Sequence, residues 1–186
     1  MKIRLIAVAI ILMFGVVKGQ SNIEIGGYGG GSADMTTING DLALTIGGHG
    51  GVLLDNRWLI GIGGYNSFFK YERPDGEKKL QFNHYGLYTE YRFNPKSRVG
   101  LVTGLLVGGG FLDSEDRPGK IGENGRDGDF VYVVQPAVKL SVGITSYLKV
   151  ELKAGYRFTG NPGAQLYDKN NMNGLTTGIT IIAGSF

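Results

Sequence analysis

Two histidines, His49 and His84, and no cysteine set narrow limits on the chemistry this 186-residue chain can carry. Neither histidine sits in a His-x-His or His-Glu-x-x-His spacing, so a metal site would need acidic residues from separate elements, and nothing in the sequence selects them. Glu90 with His84 has the residue types of a base and its orienter, and Ser67, Ser141 or Ser146 could supply a nucleophilic hydroxyl. Glu90 and His84 lie six residues apart, however, and six strand residues span about 20 Å, so they cannot touch directly. The runs Gly26 to Gly31 (around Tyr28) and Gly47 to Gly51 (around His49) invite a phosphate-loop reading, but neither is followed by Lys-Ser, Lys-Thr or a helical period. The sequence thus names no catalytic residue, no metal, no cofactor and no nucleic-acid partner.

The ionisable residues fall on every second position instead. From Phe82 to Phe93 one face is His84, Gly86, Tyr88, Glu90 and Arg92, against Tyr85, Leu87, Thr89, Tyr91 and Phe93. From Leu148 to Thr159 one face is Lys149, Glu151, Lys153, Gly155 and Arg157, against Leu148, Val150, Leu152, Ala154, Tyr156 and Phe158. A period of two is the signature of strands. If the polar faces point inward, a barrel lumen holds Glu24, His84, Glu90, Arg92, Gln135, Lys139, Lys149, Glu151, Lys153 and Arg157. Both signs are present and can neutralise each other. An eight-stranded barrel is just wide enough for side chains to fill, so a plug of ion pairs is expected rather than a pore. The excess positive charge of Lys149, Lys153 and Arg157 would favour anions if the lumen conducted.

The elements that position these faces are eight β-like segments, at 22–32, 40–54, 57–71, 80–93, 98–112, 129–143, 146–159 and 174–186. Their connections run to seven, two, eight, four, sixteen, two and fourteen residues, short at every even place and longer at every odd one. That alternation is expected of an up-and-down barrel with both termini on one side of a membrane. The longer connections, 33–39, 72–79, 113–128 and 160–173, would be surface loops. Outward apolar residues recur on the strands, as at Val99, Leu101, Leu105, Val107 and Phe111, and at Val134, Val138, Leu140 and Val142. Two levels of aromatics suggest interface girdles: Trp58, Tyr91 and Phe93 beside the short turns, and Tyr65, Phe68, Phe69 and Tyr71 before a longer connection.

The N-terminal segment has Lys2 and Arg4, a charge-free stretch from Leu5 to Val17, and small or permissive residues ending at Gly19. This is the pattern of a secretory signal at 1–19, leaving a mature domain of 20–186. Its apolar run is shorter than the roughly 20 residues of a spanning helix. Lys2, Arg4 and Lys18 account for the whole excess of 19 basic over 16 acidic residues, so the mature domain gives no reason to invoke an acidic partner. With no disulfide available, stability must come from a closed sheet or a core. Glycine, at 33 residues, is far above the usual 7% or so, and in a small barrel it allows high curvature and leaves room for larger neighbours.

The signal ending at Gly19, the eight alternating segments and the terminal strand Gly174 to Phe186 resemble the small outer-membrane β-barrel proteins of the OmpA-like transmembrane-domain and OmpX-like class. The glycine-rich style with Gln20 after the cleavage site resembles exported proteins of Bacteroidota-type bacteria. The resemblance implies an all-β, eight-stranded antiparallel barrel in the cell outer membrane, in contact with outer-membrane lipid. It also implies that the terminal aromatic, Phe186, is the signal read by the barrel-assembly machinery. A monomeric structural protein with surface loops, serving adhesion or envelope integrity, is the expected function. No family catalytic motif is present, so no enzymatic activity is carried over. The competing class is a lipid- or small-molecule-binding barrel, either soluble and lipocalin-like or a membrane enzyme acting on lipids. Strand alternation alone is symmetric under exchange of inside and outside. In the last strand Phe186 shares parity with Thr176, Gly178 and Thr180, against Ile179 and Ile181, so its facing is left open.

Overall fold

Asp55 and Asn56 take left-handed φ angles of 51° and 54°. This is the two-residue turn whose twist matches that of the strands it joins. Arg57 N closes it on Leu54 O at 2.9 Å. Similar tight connections at 93–98 and 144–147 lie at the same end of the molecule as Ile25 and Ser185.

The computed structural model describes residues 23–38, 41–67, 71–72, 79–114, 129–160 and 172–186. The strands are β1 (Ile25–Ile38), β2 (Asp41–Leu54), β3 (Trp58–Ser67), β4 (Tyr71–Glu72), β5 (Lys79–Arg92), β6 (Val99–Ser114), β7 (Asp129–Gly143), β8 (Leu148–Gly160) and β9 (Gly174–Ser185). β4 is a two-residue ladder on the start of β5. The other eight form one antiparallel sheet in which each pairs with its chain neighbours. The circuit is completed by β3 with β5 and by β1 with β9, the latter in the register Gly27↔Ser185 to Thr36↔Thr176. The protein is therefore a closed eight-stranded up-and-down barrel, and among the described residues there is no helix.

One sequence expectation is corrected here. Residues 33–38 are not a surface loop but the second half of β1, whose register with β2 runs to Ile38↔Asp41. The connection is only 39–40, Asn-Gly in sequence, a strong two-residue hairpin signal. The stretch looked loop-like because its inward residues, Ser32, Asp34 and Thr36, are polar, and all three are buried.

Glycines make the tight wall possible on one side. Gly51 pairs with Gly61, Gly63 with Gly86, and Gly86 with Gly108. A Cβ on Gly61 would lie 2.6 Å from Gly51 Cα, so neither position tolerates a side chain without parting the strands. Leu53, Leu59, Leu106 and Ile182, each 1% exposed or less, fill the lumen beside the charged residues.

Candidate functional site

The period-two faces, once wrapped into a cylinder, send ionisable residues from six strands to the axis. Near mid-height Lys139 of β7 donates to Glu90 Oε1 of β5, to Glu151 Oε2 of β8 at 3.0 Å and to His49 Nε2 of β2 at 3.1 Å. An ammonium has three protons, and these contacts use all of them. Acceptance at Nε2 puts the proton of a neutral His49 on Nδ1. Tyr88 donates its hydroxyl to Glu90 Oε1 at 2.6 Å. Arg92 NH2 meets Glu151 Oε1 at 2.8 Å and approaches Glu90 Oε2 at 3.5 Å. Every member of this cluster is at most 5% exposed.

Toward the longer connections, Lys153 of β8 pairs with Asp34 of β1 and lies 4.4 Å from the ring centre of Tyr65. Tyr65 stacks on His84 at 5.3 Å, and His84 stacks on Phe82 at 5.1 Å. Arg157 caps the other end of this stack, 5.0 Å from the Phe82 centre. Three parallel rings thus stand between two cations. His84 Nε2 is tied to Gln135 Oε1 at 3.1 Å. Arg157 is satisfied by two backbone carbonyls, Met172 O at 3.0 Å and Thr37 O at 2.9 Å.

His49, Glu90 and Glu151 bring ligand atoms within 4.8 Å of one another, the spacing a metal ion would use. Lys139 Nζ contacts all three and stands where such an ion would. Chemically the cluster is a neutralised, fully buried plug. Removing one charge strands the others in a medium that penalises them.

No protein-family model matches the chain, and no curated protein matches it in sequence. Among solved structures, Neisserial surface protein A aligns with a TM-score of 0.62 at 10% identity, over 88% of this chain and 99% of that one. The chain has the fold of the small outer-membrane β-barrels. Ail, the attachment invasion locus protein of Yersinia pestis, aligns at 0.50 and 9% identity, over 89% of this chain and 99% of its own. The N-terminal β-barrel domain of OprF from Pseudomonas aeruginosa aligns at 0.50 and 10%, over 84% and 96%. At such identities the likeness concerns the fold alone.

Within this outer-membrane-type barrel, His84, Glu90, Arg92, Lys139, Lys149, Glu151, Lys153 and Arg157 all face the lumen and are buried. Glu24 does not join them. It precedes β1 and is exposed, its backbone N donating to Asp55 Oδ1 and its Oε2 accepting from Asn56 Nδ2, each at 3.1 Å. It tethers the tight turn from its place just before β1, where its carbonyl also accepts from Asp55 N at 2.8 Å.

Trp58, Tyr91 and Phe93 cluster on the outer wall at the short-turn end, with ring separations of 4.7 and 5.0 Å. Tyr65 is a second correction. It is 2% exposed and inside the lumen, because the odd residues of β3 from Leu59 onward face inward. Phe68 and Phe69 lie outside the described residues, as does the side chain of Tyr71. The outer aromatics nearest the longer connections are Phe111, Phe130 and Tyr132, with Tyr156 and Phe158 beside them.

β9 resolves its facing. Thr176, Thr180 and Ile182 are buried, while Leu175, Ile179 and Ile181 are exposed. Phe186 follows the inward set, its ring 5.3 Å from Tyr28 and 4.1 Å from Lys149 Nζ.

Sequence reasoning places Tyr88 on the inward face of its strand but misses His49, Asp34 and Tyr65 as lumen partners. Asp34 lay in a stretch read as loop, and His49 is flanked by glycines that carry no alternation. The inward parity of β2, marked by Thr45, His49 and Leu53, was the available signal.

Proposed function

We propose that this protein is an outer-membrane barrel with a structural role, exported by a signal at 1–19 and inserted as a monomer. The observation that carries the reading is the inversion of the wall. Leu42, Ile62, Leu87, Leu152, Ile179 and Ile181 stand more than half exposed on the outside, while the described acids and bases of the strands are buried inside. Such a surface suits hydrocarbon, where a closed sheet satisfies every backbone group, and is a poor surface for water. The ion-paired plug then stiffens the barrel rather than opening a porin-like channel. Phe186 remains the expected signal for the barrel-assembly machinery. The residues of 73–78, 115–128 and 161–171 would be displayed outside and serve attachment or envelope integrity. Attachment agrees with the name of one structural neighbour, and the glycine-rich composition agrees with a Bacteroidota-type envelope.

A lipid-binding role is favoured by one feature, a shallow hollow on the outer wall. Ile62, Leu87 and Val107 border it, over a floor of Gly48, Gly50 and Gly64. An acyl chain would fit such a hollow from the membrane side.

Fractionation of the exporting cell, followed by electrophoresis of unheated and heated protein, tests the proposal. Recovery with the outer membrane and a heat-dependent mobility change are expected. Soluble periplasmic recovery without a mobility change would overturn the reading in favour of a soluble binding barrel.

A further inference from the structure

Among the described residues the lumen holds three buried acids, Asp34, Glu90 and Glu151, against five buried cations, Arg92, Lys139, Lys149, Lys153 and Arg157. The acids are taken: Asp34 by Lys153, and Glu90 and Glu151 by Lys139 and Arg92. Arg157 is held by the carbonyls of Met172 and Thr37. Lys149 has no acid within reach among the described residues. Its ammonium lies over the ring of Phe186, at 4.1 Å from the centre, and the residue is 8% exposed.

Lys149 shares a small cavity with Arg92 and Ser141 at the short-turn mouth of the lumen, walled by Asn94, Ser97 and Gly100. Arg92 is 3% exposed, and its Nε is buried without a hydrogen-bond partner. Ser141 Oγ accepts from Arg92 NH1 at 3.4 Å, which leaves the hydroxyl proton free to donate. Lys149, Arg92 and Ser141 thus line one cavity, and among the described residues neither the Lys149 ammonium nor the Arg92 Nε has a hydrogen-bond acceptor. The cavity is small, with room for about one particle of the size of a water molecule.

We infer that this cavity is a binding site for one small monovalent anion, held by Lys149, the Nε of Arg92 and the hydroxyl of Ser141. An anion supplies what a water molecule in the same place would not, a countercharge for the unpaired ammonium. The size of the cavity selects against phosphate and larger organic anions. The site faces the short-turn end of the barrel, so the ion enters from that side.

The experiment uses the purified barrel in detergent at constant ionic strength, with sodium gluconate replaced stepwise by sodium chloride. Thermal unfolding is followed through the heat-dependent gel shift. A ligand that binds only the folded state raises the midpoint in a saturable way. The midpoint is expected to rise with chloride, to show no rise with phosphate, and to lose its chloride dependence in Lys149→Met. Crystals soaked in bromide are expected to show an anomalous peak within hydrogen-bond distance of Lys149 Nζ. Equal midpoints in chloride and gluconate would overturn the proposal, as would a chloride response that survives in Lys149→Met or bromide-soaked crystals without the peak. If Lys149→Met does not fold, Ser141→Ala is the second variant. There a weakened chloride response supports the site, and an unchanged one overturns it.

Discussion

Glu90 on β5 sits directly beside Gly104 of β6, and that missing side chain lets the Glu90 carboxylate and the Tyr88 hydroxyl meet. A Cβ at Gly104 would come 2.7 Å from Tyr88 Oη and 3.6 Å from Glu90 Cγ. The tyrosine cannot retreat without dropping its 2.6 Å hydrogen bond to Glu90. Gly104→Ala is therefore expected to destabilise the barrel by about 1–3 kcal/mol, the range for overpacking a full interior. Denaturant unfolding monitored by tryptophan fluorescence measures it. Gly160, with nothing within 4 Å of its notional Cβ, is the control and should accept alanine without loss.

Lys139 satisfies two carboxylates and a histidine at once, so its removal should cost more than the loss of either acid. Lys139→Met leaves Glu90 and Glu151 buried side by side and is expected to lose about 3–5 kcal/mol. Glu90→Gln keeps an acceptor for Lys139 and Tyr88 and should lose less. Combining Lys139→Met with Glu90→Gln should recover part of the loss, because the one carboxylate left, Glu151, keeps Arg92 as its counterion. The same unfolding measurement ranks all three variants.

Asp34 and Lys153 pair across the β1–β9–β8 side of the lumen, and each is at most 5% exposed. A double-mutant cycle with Asp34→Asn and Lys153→Met should return a coupling of about 0.5–3 kcal/mol. No coupling would contradict the extension of β1 to Ile38, since a loop position for Asp34 would leave it in water.

Leu87 is 72% exposed on the outer wall. In a bilayer, Leu87→Arg near mid-wall is expected to cost about 2–4 kcal/mol, measured by unfolding from lipid vesicles. A soluble barrel would accept the same change with little effect, so the variant separates the two readings of the wall independently of fractionation.

Gly61 and Gly51 approach so closely that any side chain must push strands β2 and β3 apart. Gly61→Val is expected to abolish the heat-shifting folded form on gels, with the protein accumulating unfolded.

Much of this architecture is legible in single residues. Glu90 and Arg92 alternate with Thr89 and Tyr91, and Glu151 and Lys153 with Val150 and Leu152, because a pleated strand sends neighbours to opposite sides. Asp55-Asn56 marks a tight turn because those two residues accept positive φ. At residues 33–39 a polar inward face imitates a loop, although Asn39-Gly40 is the better turn signal. Tyr65 was placed at an interface by its company of aromatics, whereas parity within β3 decided its direction.

By itself the sequence determined the eight strands, the two faces of the regular ones, and which side chains would share a face, because these follow from local pleat and turn chemistry. Only the tertiary structure decided that Lys139 meets His49, Glu90 and Glu151, that Tyr65, His84 and Phe82 stack between two cations, and that Phe186 turns inward beneath Lys149. Those contacts join residues from strands far apart in the chain. Their distances are set by closure, stagger and the glycine-thinned wall, which no local pattern encodes.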